Sequence, residues 1–470
     1  MNRKRGLVAL ACGIAALAPA AAGAAQSAWP QASILGDRIA IGADSAGREW
    51  QLGGFSGLAP LGASGKEHWT LTDRGPNDDA DRALADGSGV HCAAKPSGKV
   101  IFLPGFTPEI VKLGVRDGAV RVQERIPLHD GAREASGMPN LTVDESTYLQ
   151  TDAAAKTCTK LTGADGVIDP FGVDTEGIVV DSRDGSFWLA DEYRPSVIRV
   201  ASDGQLLSRI VPADLPGLPT ASAYADAVAA AGGTLDVQPL LPGVVNAFRK
   251  NRGFEGVALS PDGTTLYTLL QSPMDYDSLG ASRANRNLAR SSPYVRVFRF
   301  DVSDPQAPVL TAQWVHLLAR GFSGAVPDKI SDVQWLGEDV LLIQERDDAR
   351  PTAITNHYRV DFTGATNLLG PGPAADLAAR TTAPTLETTS PLPAFVRPGS
   401  ATLAIDLDAL LGAAGLVNSK VEGTAIVPAR GVHPGLFAAI NDNDFDLDHT
   451  ILPELFPTSI PEQVDVFAQP

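Results

Sequence analysis

Three glutamates share one local setting along this chain. Thr175-Glu176-Gly177-Ile178, Phe254-Glu255-Gly256-Val257 and Val421-Glu422-Gly423-Thr424 each place an acid and a glycine at the head of an apolar run. Asp332, in Ile330-Ser331-Asp332-Val333, holds a similar place. One such pair alone reads as a strand-start device, its carboxylate bonded to nearby backbone. Its recurrence turns the reading towards a shared site. Carboxylates brought together either raise one another's pKa or gather a positive charge. An all-oxygen ligand set suits a hard cation, Ca²⁺ first, since it takes about 6–8 oxygens. Glu176, Glu255, Glu422 and Asp332 are therefore the expected metal ligands.

A second group of polar residues follows a second apolar strand in each case: Asp73-Arg74, Asp191-Glu192-Tyr193-Arg194, Glu345-Arg346-Asp347 and Asn441-Asp442. Asp191 or Glu192 is the expected general base. Arg194 and Arg74 are expected to stabilise developing negative charge. The arginines read equally well as ion-pair partners of these acids or as holders of an anionic substrate group. Other chemistries find no motif. The sequence has no G-x-S-x-G elbow, no H-E-x-x-H pair among its 7 histidines, no P-loop and no Rossmann fingerprint. Hydrolysis would then rely on a metal-bound water or a metal-polarised ester. The run Asn441 to Asp448 alternates acids like a calcium loop but lacks the glycine and closing glutamate of an EF-hand.

These residues need strands to carry them. The same pattern, a lead strand, a turn, a second strand and a polar cluster, recurs from Phe55-Ser56-Gly57, Glu176, Glu255, Asp332 and Glu422. Asp184-Gly185, Asp203-Gly204 and Pro261-Asp262-Gly263 are hairpin punctuation. Each unit reads as a small antiparallel sheet that cannot bury its own faces, so the units must stack radially. The fold expected is all-β, a single β-propeller with five visible blades, six possible, and short helical insertions. The rival is a sandwich of unrelated hairpins. Spacing is uneven, narrowest between Glu255 and Asp332 and widest between Ser56 and Glu176, so the blades carry insertions. Thr220 to Asn251 holds an Ala-rich helical piece, and Leu407 to Ala414 reads as a helix. A sixth blade could lie within 91–170, and a strand at Ile34 to Ile41 could close the ring against Val464 to Ala468.

Of 470 residues, 55 are Asp or Glu and 38 are Lys or Arg, a net charge of -17. With no basic cluster, nucleic acid is excluded as a partner. Acidity also serves solubility. Arg3, Lys4 and Arg5 precede an apolar run from Leu7 to Leu17 and small residues up to Ala25, the plan of a signal peptide over 1–25. An uncleaved anchor is the alternative. No later stretch can span a bilayer, so residues 26–470 are expected as one periplasmic or secreted domain, a monomer without a stable membrane span. Of 3 cysteines, Cys92 and Cys158 remain after cleavage and could form a disulfide.

Several stretches resemble the phytase-like family, also called the esterase-like activity of phytase family. They are Asp174 to Ile178 with Asp191 to Ser196, Asn251 to Gly263 with Leu270 to Pro273, Ser136 to Asn140, Glu345 to Asp347, and Val421 to Gly423 with Asn441 to Asp444. The resemblance covers nearly all of the mature chain. It implies ester or phosphoester hydrolysis on a small-molecule substrate with calcium as cofactor. The chain is unlike acid phytases, as it lacks R-H-G-x-R-x-P. The alternatives are a lactonase, or a non-catalytic propeller that binds a ligand or protein around a structural calcium.

Overall fold

The computed structural model describes residues 33–446, apart from 63, 85–88, 118, 324–326, 348–353, 419 and 428–434, together with the strands Glu454–Leu455 and Thr458–Ser459. The signal reading at 1–25 and the closing strand at 464–468 lie outside these residues. The chain is all-β with a few short helices.

Each repeat becomes the innermost part of a sheet. Phe55–Leu61, Thr175–Val180, Phe254–Leu259, Lys329–Gly337 and Val421–Val427 are the lead strands of units I to V. Each pairs antiparallel with the next strand in sequence. Lead strands of successive units pack side by side in the order I, II, III, IV, V, and V packs on I. Ser33–Leu35 links the ends: it pairs parallel with Ala119–Pro127 of unit I and antiparallel with Glu454–Leu455 of unit V. The strand expected over Ile34 to Ile41 is instead the short Ser33–Leu35, which meets 454–455, while Ala40–Ala43 pairs separately with Glu49–Gln51.

Both faces of the sheets are covered, which is why their strands read as continuous apolar runs. In Phe187–Asp191 alternate side chains point to opposite faces. Phe187 and Leu189 enter the core shared with unit I, and Trp188 and Ala190 enter the core shared with unit III. Burying each large apolar side chain contributes about 1.5–3 kcal/mol. The seams between lead strands are backbone-tight. A Cβ on Gly57, Gly177, Gly256 or Gly423 would sit 2.6–2.8 Å from backbone atoms of the neighbouring lead strand. Glycine is there because two backbones meet.

Among the described residues, the region 91–170 adds no further lead strand. Glu109–Arg116 and Ala119–Pro127 extend unit I. Lys99–Ile101, Thr147–Asp152 and Thr157–Lys160 join Asn77–Asp79 in a satellite sheet. The Cys92–Cys158 disulfide staples it, with Cα atoms 5.6 Å apart. Helices sit in the insertions as their caps suggest: Thr220 caps Ala221–Ala230, and Asp406 caps Leu407–Ala413.

Candidate active site

Every lead strand is irregular in its ladder at its acidic or small polar residue. Register shifts fall between Phe55 and Leu58, Thr175 and Gly177, Phe254 and Gly256, Ile330 and Val333, and Val421 and Gly423. A bulge bends the strand and re-aims the side chain of the extra residue. Here it turns Glu176, Glu255 and Glu422 into a common cavity of about 430 Å³. Residues at or just past the ends of the second strands, Asp73, Glu192, Gln271, Arg346 and Asp442, reach the same cavity.

The cavity is charged on all sides. Nine carboxylates and seven Lys or Arg side chains line it, with three amides and no apolar residue. The charges are sorted. On one side, carboxylate oxygens of Asp174, Glu176 and Glu192 lie within 4.8 Å of one another. Glu176 is half-buried and, among the described residues, makes no hydrogen bond or ion pair. Burial first, then the neighbouring Glu255, Asp174, Glu422 and Glu192, push its carboxyl well above the usual range. Burial, Asp174 and Glu255 do the same to Glu192. This acidic cluster can hold a metal ion.

Arg74 organises that side. Its Nη1 is 2.9 Å from Glu145, its Nε is 3.2 Å from Asp174 and its Nη2 is 3.7 Å from Glu192. Nη2 also donates to Asn251, and its backbone N–H donates to Asp174 Oδ1 at 3.1 Å. Every arm of the guanidinium is engaged by protein, so Arg74 positions the carboxylates.

On the other side the acids are neutralised. Glu422 is paired with Arg346, lies 3.5 Å from Lys420 Nζ and accepts from Ser56 Oγ at 3.2 Å. Lys420 also pairs with Asp442, and with Asp444 at 2.7 Å. Glu255 stands between the two sides, 3.8 Å from Arg346. Burial raises its pKa to about 8, with Arg346 pulling against it.

Three residues expected in the site lie elsewhere. Asp332 does not line the cavity. Ser331 takes the bulge position that units II, III and V give to glutamate, and Asp332 stands where the other units have glycine, so its carboxylate is spent on the seam. It accepts from Thr424 N at 2.6 Å, Thr424 Oγ1 at 3.0 Å and Val333 N at 2.7 Å. Gln334 and Gln344 reinforce that seam by donating to Thr424 O and Val421 O, each at 2.7 Å. Asp191 is fully buried and holds the turn after its strand. It accepts from Asp174 N at 2.8 Å and Ser196 Oγ at 2.7 Å, and pairs with Arg209. Arg194 sits at a positive φ of 35°. Its side chain is buried away from the cavity and donates to Pro212 O at 3.1 Å.

Several lining residues escaped the sequence reading: Lys329, Lys420, Asn251, Arg252 and Gln271, along with Asp174 of the acidic cluster. Asp174, Lys329 and Lys420 did carry a signal, since each stands two residues before the bulge. Gln271 is 5% exposed and its Oε1 has no hydrogen-bond partner.

The family model described as "Esterase-like activity of phytase" matches residues 51–445. The chain belongs to the phytase-like family. An uncharacterized secreted protein of Arthroderma benhamiae is 34% identical over 152 residues, 31% of this chain and 27% of that protein. The match thus spans about a quarter of that relative's length. The fold is also similar to a periplasmic gluconolactonase of Pseudomonas aeruginosa, 10% identical, covering 92% of this chain and 96% of the other at a TM-score of 0.31. A gluconolactonase of Xanthomonas campestris is 12% identical, with 92% and 98% covered and a TM-score of 0.30. No helix among the described residues of this phytase-like chain is long and apolar enough to cross a membrane.

Proposed function

We propose that this chain is an exported, metal-dependent hydrolase of phosphomonoesters or other small esters, built on a five-bladed propeller. The cyclic packing of five lead strands supports the blade count. Export, to the periplasm or the medium, is supported by the N-terminal sequence and by a disulfide that suits an oxidising compartment.

The single observation that carries the reading is Glu176, a carboxylate that among the described residues has no hydrogen-bond or ion-pair partner and lies beside two others. Three clustered carboxylates with one shared cation, Arg74, remain under-neutralised, which is costly, and an all-oxygen set fits a hard cation. Asp174, Glu176 and Glu192 would hold Ca²⁺, in place of the Glu176, Glu255, Glu422 and Asp332 set expected from sequence. When bound, the ion would polarise the ester and acidify a water. Arg74 keeps Asp174 and Glu192 in place. Arg346 and Lys329, across the cavity, orient an anionic group. Glu192 remains the candidate base. Glu255, with its pKa near 8, holds a proton at neutral pH and can pass it to a leaving oxygen. Asp191 and Arg194 keep structural roles, holding the turn that presents Glu192.

The test is hydrolysis of p-nitrophenyl phosphate, p-nitrophenyl acetate and a simple lactone by chelated protein, before and after adding Ca²⁺. The reading expects activity that returns with Ca²⁺ and falls more than about 100-fold in Glu176→Gln. The preferred substrate separates phosphatase, esterase and lactonase. No turnover, with the melting temperature still raised by Ca²⁺, would instead assign a binding propeller with a structural ion.

A further inference from the structure

Arg249 lies between the short turn Gly243–Ala247 and the lead strand Phe254–Leu259 of unit III. It is half-buried, and among the described residues its guanidinium makes no hydrogen bond or ion pair. Its neighbours include two like charges, Arg252 and Arg290, and two carboxylates, Asp328 and Asp275. Both carboxylates are already engaged. Arg290 Nε and Nη2 donate to Asp275 Oδ2 at 2.9 and 2.6 Å. Asp328 lies 3.6 Å from Arg252 Nη1 and also acts on Arg320. Arg320 is turned onto backbone, donating to Ser292 O at 2.8 Å and Arg290 O at 3.1 Å. The guanidiniums of Arg249, Arg252 and Arg290 thus face two carboxylates, Asp328 and Asp275, of which Arg252 and Arg290 each already hold one. Arg252 lines the cavity, and its Nη1 is buried without a hydrogen bond.

A guanidinium held out of water beside like charges is costly unless an anion joins it. Guanidinium pairs are the natural recognisers of phosphate and carboxylate. We propose that Arg249 and Arg252 form an oxyanion-binding site at the edge of the cavity, separate from the acidic cluster. Burial, followed by repulsion from Arg252 and Arg290, draws the pKa of Arg249 down to about 10, in keeping with a cation that lacks its counter-charge. The occupant is either a second anionic group of the substrate or a free inorganic anion.

The site needs no metal, so its test is made in chelator and stands or falls apart from the hydrolase reading. Thermal unfolding of the purified protein is followed against inorganic phosphate, with chloride holding ionic strength constant. The melting temperature should rise by about 2 °C or more in the wild type. It should not rise in Arg249→Met or Arg252→Met, whose phosphate-free melting temperatures should be no lower than wild type. No rise in the wild type, or an equal rise in Arg249→Met, overturns the proposal. Kinetics then name the source. If the site serves substrate, Arg249→Met raises KM about tenfold for an ester with a second anionic group and leaves that for p-nitrophenyl phosphate unchanged. Unchanged KM for both, with the phosphate effect intact in the wild type, assigns the site to a free anion.

Discussion

Glu176 and Glu422 start from the same sequence, a glutamate and a glycine at the head of an apolar strand, and finish in opposite surroundings. Glu422 is closed in by Arg346, Lys420 and Ser56. Glu176 faces other carboxylates and, among the described residues, has no hydrogen-bond or ion-pair partner. What differs is the residue two places earlier and the residue at or just past the end of the second strand. Unit V supplies Lys420 there, and the adjoining unit IV supplies Arg346. Unit II supplies Asp174 and Glu192. The repeat places a carboxylate at the cavity, and the neighbours decide whether that carboxylate is structural or free to bind.

The contrast predicts different costs on its two sides. Glu422→Gln leaves Arg346 and Lys420 short of an anion, and should destabilise the protein by about 3 kcal/mol in denaturant unfolding. Glu176→Gln removes repulsion and should leave the metal-free protein as stable as wild type or more so. A similar loss in both variants would break the comparison.

A smaller effect is expected where lead strands touch. Gly423→Ala would put a Cβ 2.6 Å from Ser56 O and should cost about 1–3 kcal/mol by the same assay. Val333→Ala, at the one seam joined by Asp332, Gln334 and Gln344 side chains, meets no such clash. It should show only the loss of its own buried methyl groups.

The smallest effect is a pH slope. Burial raises Glu255 from 4.5 to about 8, so between those values the folded state holds a proton that the unfolded state has released. Stability of chelated protein should therefore fall as pH rises from about 4.5 to about 8. Added Ca²⁺ should flatten the fall, because the ion replaces the protons. A chelated protein whose melting temperature rises across this window would contradict the account of the acidic side.

The sequence made the lead strands legible because glycine is demanded where two backbones meet, and the Glu-Gly pairs mark four of the five units' inner edges together with Ser56-Gly57. The Ala-rich helix after Thr220 and the helix from Leu407 were equally plain. The site was only partly legible. Asp332 looked like its counterparts, yet it falls one residue later than the glutamates, where the other units have glycine, and so faces the seam. In Asp191-Glu192-Tyr193-Arg194 all three charged residues looked available. The positive φ at Arg194 sends its side chain inward, and hydrogen bonds to the turn consume Asp191, so Glu192 alone reaches the cavity. Lys329 and Lys420 were missed because a lysine before an apolar strand looks like solvated surface until the bulge brings it to the axis.

Calorimetric titration of chelated protein with Ca²⁺, in wild type, Glu176→Gln and Glu422→Gln, tests the central claim most directly. The account predicts one site, lost in Glu176→Gln and retained in folded Glu422→Gln. No Ca²⁺ binding by the wild type, or binding that survives Glu176→Gln, would contradict it.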